Sequence, residues 1–360
     1  MKDRKRRCLL YFCVAAILLC SGCGSTGQEE NMPKSSDNGQ MEKMKVETDF
    51  FAMDTYIKII AYGEKADLAV EAAKQEVQRL EVLLSPCHAE GEVGQINERG
   101  EGKCSADTAY LWERSLQLYK DTDGVFNVML YPVIEAWGFI NKTYTVPSEE
   151  ALNELLPLTD MTKVGYDTEK KEVKFLQEGM KMGFGGIAKG YTSAKMMDIF
   201  EKYNIESAMV NLGGNVQVKG KKPDGRDWGV AIRDPENAEN LLGVLQVADK
   251  AVITSGGYER YFEQDGIIYH HILEPSTGKP ANKGLLSVTI VSADGTLADG
   301  LSTSLFVMGK EKAEAYWRSH ADQFQTILVT DTGEIYITEG LTDVFTSQER
   351  VVHRIEKEIF

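Results

Sequence analysis

The chain has 360 residues, of which 42% are hydrophobic and 26% charged, ordinary values for a globular protein of one or two domains. Five Lys/Arg and one acid fall within residues 1–22, so the formal charge of −15 leaves about −19 on the rest. Such a body repels polyanions, and with no Arg/Lys-rich run after residue 7 the reading excludes nucleic acid as a partner.

Lys2, Arg4, Lys5, Arg6 and Arg7 precede an apolar run from Cys8 to Cys20 and the small residues Ser21-Gly22, the pattern of an export signal. The run spans 13 residues, short of the roughly 20 that a membrane-crossing helix needs. Ser21-Gly22-Cys23 resembles the lipobox at which lipoprotein signals are cut and the new N-terminal Cys is acylated, with Cys20 where that box usually has Leu. A Cys20-x-x-Cys23 redox pair is the rival reading, placed in a segment destined for removal or acylation. Residues 24–45 are small and polar and cannot bury enough surface to fold alone. The expectation is therefore a signal over 1–22, a lipid-anchored tether over 23–49, and a domain held at the extracytoplasmic face of the cell membrane. Only Cys87 and Cys104 lie in the body, and the sequence leaves their pairing open.

Thr55 to Tyr62 reads as a strand, and Ala66, Ala69, Val70, Ala73, Val77, Leu80 and Leu84 mark one face of a long helix. A second helix is predicted over Ala106 to Lys120, closed by Asp121-Thr-Asp-Gly124. Val164–Tyr166 and Val173–Phe175 flank a polar turn and read as a hairpin. A helix is expected from the glycines at 185 and 186 to about Tyr203, then a strand over Ser207–Leu212 and a Gly213-Gly214 turn. Strands follow over 215–219, 228–232, 243–247, 251–254, 267–273 and 285–292, then helices over 296–308 and 310–318 and strands over 325–330 and 334–338. Mixed order of this kind predicts an α+β fold with mixed or antiparallel sheet, not a doubly wound parallel one.

Gly183-Phe-Gly185-Gly186-Ile-Ala188-Lys189-Gly190 lets backbone N–H groups approach a phosphate where a helix begins. It mimics a dinucleotide fingerprint without the regular βαβ continuation, and it fails as a Walker A motif because Gly190 follows Lys189. Asn211-Leu-Gly-Gly-Asn215 and Thr254-Ser-Gly-Gly-Tyr258-Glu-Arg260 are further Gly pairs at strand ends, either plain turns or backbone passing close to a large ligand. Asp299 and Thr303, four apart on one helix, share a face. Carboxylate and hydroxyl oxygens suit Mg²⁺, and the bland alternative is an Asp favoured by the helix dipole. His270 and His271 face opposite sides of a strand, so at most one can face a site. No His/Cys spacing suggests zinc, and no G-x-S-x-G elbow suggests a nucleophile triad.

Ala52-Met-Asp-Thr55, Gly185-Gly-Ile-Ala-Lys-Gly-Tyr191, Asn211–Asn215, Thr254–Arg260, His271-Ile-Leu-Glu-Pro275 with Thr277-Gly278, and Ala298-Asp-Gly-Leu-Ser-Thr303 resemble, in this order, the FAD:protein FMN transferase (ApbE-type) family. The resemblance covers about residues 50–345 and leaves 346–360 as a C-terminal extension. It implies a two-lobed α+β catalytic domain with FAD in a cleft. It also implies Mg²⁺-dependent transfer of FMN from FAD to a Thr or Ser hydroxyl of a target flavoprotein, with release of AMP. Met53, Gly124, Val125, Phe126, Asn127, Lys189, His271 and Ile272 would line the FAD site. Asp299, Thr303 and the Gly186 carbonyl would hold the metal, and His271 is the candidate base beside Asp299. Cys87 stands where a Tyr usually stacks on the flavin, and Gly183 where an Asp is common. The alternatives are an FAD pyrophosphatase giving FMN and AMP, and a non-catalytic flavin-binding lipoprotein.

Overall fold

The computed structural model describes residues 44–237, 239–348 and 350–357. The expected signal, the acyl site Cys23 and the tether up to residue 43 lie outside these residues. The β-branched runs of the sequence become nine strands of one sheet: β1 (Lys45–Ala52), β2 (Thr55–Tyr62), β3 (Ser207–Leu212), β4 (Asn215–Lys219), β5 (Ala251–Gly256), β6 (Leu285–Ser292), β7 (Gln325–Thr330), β8 (Ile335–Thr338) and β9 (Val352–Ile355). Spatial order follows chain order. Every neighbouring pair is antiparallel except β8 and β9, which run parallel.

Alternation along the strands sorts side chains between two faces. Val252 of β5 joins Val218, Val291, Ile327 and Val329 against Trp228, Val230 and Leu245 of a three-stranded sheet formed by Trp228–Arg233, Leu241–Val247 and Phe345–Ser347. Ala251, Ile253, Val288 and Ile290 belong instead to the core on the helical side. That side carries α1 (Ala66–Leu84), α6 (Ala188–Lys202), α7 (Gly295–Met308) and α8 (Lys310–His320). Between α1 and α6 the chain adds α2 (Glu92–Arg99), α3 (Ala106–Asp121), α4 (Tyr131–Ala136) and α5 (Glu149–Leu155), with the hairpin Val164–Asp167 and Glu172–Phe175. The seven residues expected on the buried face of α1 are the seven that are buried. Among the described residues no helix is long and apolar enough to cross a membrane.

The α+β class with a mixed sheet agrees with the expectation, and the boundaries need three corrections. The first described strand starts at Lys45, so β1 takes in the last five residues assigned to the tether. The C-terminal extension is not an appendage, since Phe345–Ser347 completes the small sheet and β9 forms the edge of the large one. The strand expected over 267–273 ends at His270, and Leu273–Glu274 pairs separately with Lys279–Pro280. Helices α2, α4 and α5 and the strand Tyr261–Gln264 were not anticipated.

Candidate active site

Helix α7 is buried along most of its length because Gly295, Ala298, Gly300, Ser302 and Ser304 are small enough for neighbouring elements to approach closely. Its N-cap is Asp294, which accepts the Leu297 N–H and pairs with Arg114 at 2.9 Å. It meets α6 at a pair of glycines: a Cβ at Gly190 would collide with the Gly295 carbonyl and stand 2.5 Å from Asp299 Cβ. This contact brings the Gly190 N–H to Asp299 Oδ2 at 2.8 Å, while the Asn215 side-chain amide donates to Oδ1 at 2.9 Å. Burial raises the Asp299 pKa, against the opposing charge of Lys189. Thr303, one turn further on, has its hydroxyl 3.3 Å from Ser255 Oγ, which also bonds Ser302 at 2.8 Å. Gly186 completes the group, for a Cβ there would stand 3.9 Å from Thr303 Oγ1 and 3.4 Å from Phe126 Cε2.

Around this oxygen-rich point gather charged groups from separate motifs. Lys189 acts electrostatically on Asp299, Glu259 and His271. Desolvation raises the Glu259 carboxyl to about 7 although the residue as a whole is exposed, with Lys189, Arg233 and Arg260 opposing and Asp299 reinforcing the shift. His271 is pushed down to about 3, first by burial and then by the Arg260 guanidinium. Its Nδ1 lies 3.1 Å from the Arg260 carbonyl, so the ring donates there and is neutral at physiological pH. His270 points elsewhere, with Nε2 on the Ala281 carbonyl at 3.0 Å and its ring edge-on to Phe306.

Met53 sits in the two-residue turn between β1 and β2, where Met53 (φ 53°) and Asp54 (φ 57°) are both left-handed, a conformation that Asn-Gly would adopt more cheaply. The turn is held from outside: the Met53 N–H donates to Glu81 at 2.6 Å, and Asp54 pairs with Arg260 at 2.9 Å and Lys142 at 3.1 Å. The two-residue hairpin requires left-handed backbone at both positions, and these contacts hold non-glycine residues there.

The two unusual positions share a neighbour. Cys87 is exposed and its Sγ lies 2.9 Å from the Tyr131 hydroxyl, while a Cβ at Gly183 would stand 2.9 Å from Tyr131 Cδ2. A buried aromatic from the start of α4 therefore touches Cys87 and occupies the space that a larger side chain at 183 would need. Among the described residues Cys87 and Cys104 are not paired with each other.

The other expected residues divide. Phe126 reaches the Gly186 and Gly300 backbones, and Gly124 and Val125 close α3 beside it. Asn127 is committed to the fold, accepting the Met129 N–H and donating to the Thr159 carbonyl. The Ile272 side chain is in the core and its carbonyl accepts the Ala281 N–H. Asn215, Ser255, Glu259 and Tyr131 were given no role on sequence grounds; the first three lie inside the recognised motifs, and Tyr131 carried no signal. Two surface hollows, of about 660 Å³ at Gly165–Lys174 and 230 Å³ around Glu201 and Asp249, contain none of the site residues.

A family model described as the ApbE family matches residues 53–328. The FAD:protein FMN transferase of Klebsiella pneumoniae is 34% identical over 268 residues, covering 73% of this chain and 83% of that protein. That of Treponema pallidum is 34% identical over 285 residues, covering 73% and 79%. The crystal structure of the ApbE protein of Thermotoga maritima aligns with a TM-score of 0.78 and 32% identity over 85% of this chain and 100% of its own. The six motifs, the site they build and these relatives agree: this chain belongs to the ApbE family.

Proposed function

We propose that this chain transfers the FMN half of FAD to a Thr or Ser hydroxyl of a target flavoprotein, with AMP as leaving group. The observation that carries the reading is the buried Asp299, held by the Gly190 N–H and the Asn215 amide beside the Thr303 hydroxyl and the Gly186 backbone. A carboxylate whose charge is disfavoured by burial, set among hydroxyl and backbone oxygens, is a donor set that fits a hard cation. Among the described residues no three His, Cys, Asp or Glu converge, so one carboxylate is what the chain offers at this point. Asp299, Thr303 and the Gly186 carbonyl would hold Mg²⁺, which when bound neutralises charge on the pyrophosphate. Lys189 adds a fixed positive charge for the same phosphates, and Met53 and Phe126 give the flavin apolar contact. His271, neutral and fixed through Nδ1, positions Arg260 and the Met53-Asp54 turn.

Incubation with FAD, Mg²⁺ and a candidate target flavoprotein tests this. A mass gain of one FMN on the target supports transfer; free FMN plus AMP means hydrolysis, and unchanged FAD means storage. Acylation of Cys23 would set the domain at the extracytoplasmic membrane face, where acyl chains contribute about 0.8 kcal/mol per buried CH₂. Cys23→Ala should release the protein from membranes, and a variant that stays bound after a salt wash would overturn the anchor.

A further inference from the structure

We infer that the rim of the site at the Met53-Asp54 end of the sheet is the docking surface for the target protein, whose acceptor-bearing segment lies along the hairpin of Tyr261–Gln264 and Ile267–His270. The inference rests on the function proposed above. Six of the twelve large apolar side chains that are exposed among the described residues lie on this rim: Phe51, Tyr56, Tyr144, Tyr261, Ile267 and Ile268. They come from three segments far apart in the chain, and one cluster of ion pairs ties those segments together. Asp54 pairs with Arg260 at 2.9 Å and with Lys142 at 3.1 Å. Phe51 and Tyr56 flank Asp54 as a cross-strand pair, their rings edge-on at 5.4 Å. Tyr261 follows Arg260, and Tyr144 stands two residues after Lys142 and stacks on Phe262 at 5.2 Å. Single exposed apolar residues need no explanation, but aromatic and aliphatic groups gathered from separate segments mark a protein-binding surface.

The hairpin itself calls for a partner. Its two strands pair with each other, and among the described residues no further strand pairs with either outer edge. On one face Phe262 and Tyr269 pack against Trp137, and on the other Tyr261 and Ile268 turn outward. Native edges are usually guarded by Lys or Pro, and the run Tyr-Phe-Glu-Gln-Asp-Gly-Ile-Ile-Tyr-His has neither. An extended segment added as a third strand satisfies the free edge and covers Tyr261 and Ile268. Position identifies the occupant. The hairpin leaves the site at Arg260 and returns at His271, where the His271 N–H donates to the Arg260 carbonyl at 3.1 Å. A segment lying along it therefore leads into the site, and FMN transfer requires a protein hydroxyl to arrive there. The rim is the apolar surface continuous with that point. Lipid is the poorer fit, because the chain enters the domain at Lys45, about 23 Å along β1 from Ala52, so the anchor proposed at Cys23 joins the opposite end.

Ile268→Lys and Tyr56→Ala remove apolar contact at two separate points of the rim. A Lys at 268 faces Glu263 across the hairpin, so the fold is kept. Leu68→Lys, comparably exposed at the start of α1 beyond the far end of β2, is the control. Transfer is measured at saturating FAD and Mg²⁺ against rising concentration of the target flavoprotein that wild type modifies, with FAD binding by fluorescence and oligomeric state by light scattering. Each rim variant should raise KM for the target about tenfold, the loss expected on removing an interface anchor. Its kcat at saturating target and its FAD affinity should stay within about twofold of wild type, and Leu68→Lys should match wild type throughout. Rim variants with wild-type KM for the target overturn the inference, as does a loss that falls in FAD affinity. A wild-type dimer that Ile268→Lys dissociates assigns the surface to a second copy instead, and loss of binding to phosphatidylglycerol vesicles in Ile268→Lys assigns it to lipid; either overturns the inference. Failure of the transfer reading shows separately, as wild-type enzyme that yields no covalent FMN, and removes the inference with it.

Discussion

Replacing Gly190 by Ala measures how far the site depends on the close meeting of α6 and α7. The new Cβ would collide with the Gly295 carbonyl and lie 2.5 Å from Asp299 Cβ. Neither obstacle is the tip of a flexible side chain, so the two helices must part. Overpacking of this kind costs about 1–3 kcal/mol. Parting also stretches the 2.8 Å bond from the Gly190 N–H to Asp299, and a hydrogen bond to a charged group contributes about 1.5–3 kcal/mol. The better helix propensity of Ala offsets about 1 kcal/mol. The expected net loss is about 1.5–5 kcal/mol, a large share of the roughly 5–15 kcal/mol that holds a domain together. Urea unfolding should show a lower midpoint at unchanged slope, and FMN transfer should need more Mg²⁺ because Asp299 has lost its fixed orientation. Helix propensity alone predicts the opposite sign. A variant as stable as wild type, with an unchanged Mg²⁺ requirement, would refute the packing argument and with it the coupling of α6 to Asp299.

Asp299→Asn should abolish Mg²⁺-dependent transfer and the rise in Tm on adding Mg²⁺ while the fold survives, because the Asn215 amide can turn to present its carbonyl to the new amide. Transfer at the wild-type rate under limiting Mg²⁺ would remove Asp299 from the metal site. Gly183→Asp should destabilise by about 1–3 kcal/mol, since its Cβ meets the Tyr131 ring, and Tyr131→Ala in the same chain should recover part of that loss. Additive effects in the double-mutant cycle, within about 0.5 kcal/mol, would show that residues 183 and 131 do not share one space.

Much of the fold could be read where a segment buries its own regular pattern. The heptad-like face of α1, the apolar residues of β3 and the β-branched runs of β6 and β7 name their buried residues directly. Segments whose structure depends on distant partners were not readable. Strand β1 lies at the edge of the sheet and alternates only partial burial with exposure, so Lys-Val-Glu-Thr-Asp looks like tether. Helix α2 offers only Val93 and Ile96 to the core, too few to show a period. Strand β9 is ordered by parallel pairing with β8, and nothing in Val-His-Arg-Ile announces that partner. The site divides in the same way. Its glycines and its Asp and Thr are local signals, but the role of Tyr131 at Cys87 exists only across a separation of 44 residues.

Why motifs so far apart in the chain should meet follows from the order of the sheet. When antiparallel strands are laid side by side in chain order, successive connections alternate between the two ends, so the first, third and fifth share one end. Those three connections are Met53-Asp54 between β1 and β2, Gly213-Gly214 between β3 and β4, and the segment from Gly257 to Gly284 between β5 and β6. The registers agree: Ile57 pairs with Leu212, Asn215 with Ile253, and Gly256 with Ser287. The strained turn, the Gly pair beside Asn215, and the run holding Glu259, Arg260 and His271 are therefore brought to one edge by strand parity alone. The second and fourth connections leave from the opposite end: the second carries the long helical segment, which returns to the site with Phe126, Gly186 and Lys189, and the fourth carries strands of the small sheet that covers the other face. What parity cannot supply is depth, and that comes from α7, which runs from the level of Gln217 at Gly295 to that of Asn215 at Asp299 and Ser255 at Thr303. Small residues along α7 let it lie close enough for Asp299 to face the same end as the three turns. A bulky residue anywhere on that face would leave the sheet intact and move the carboxylate out of reach.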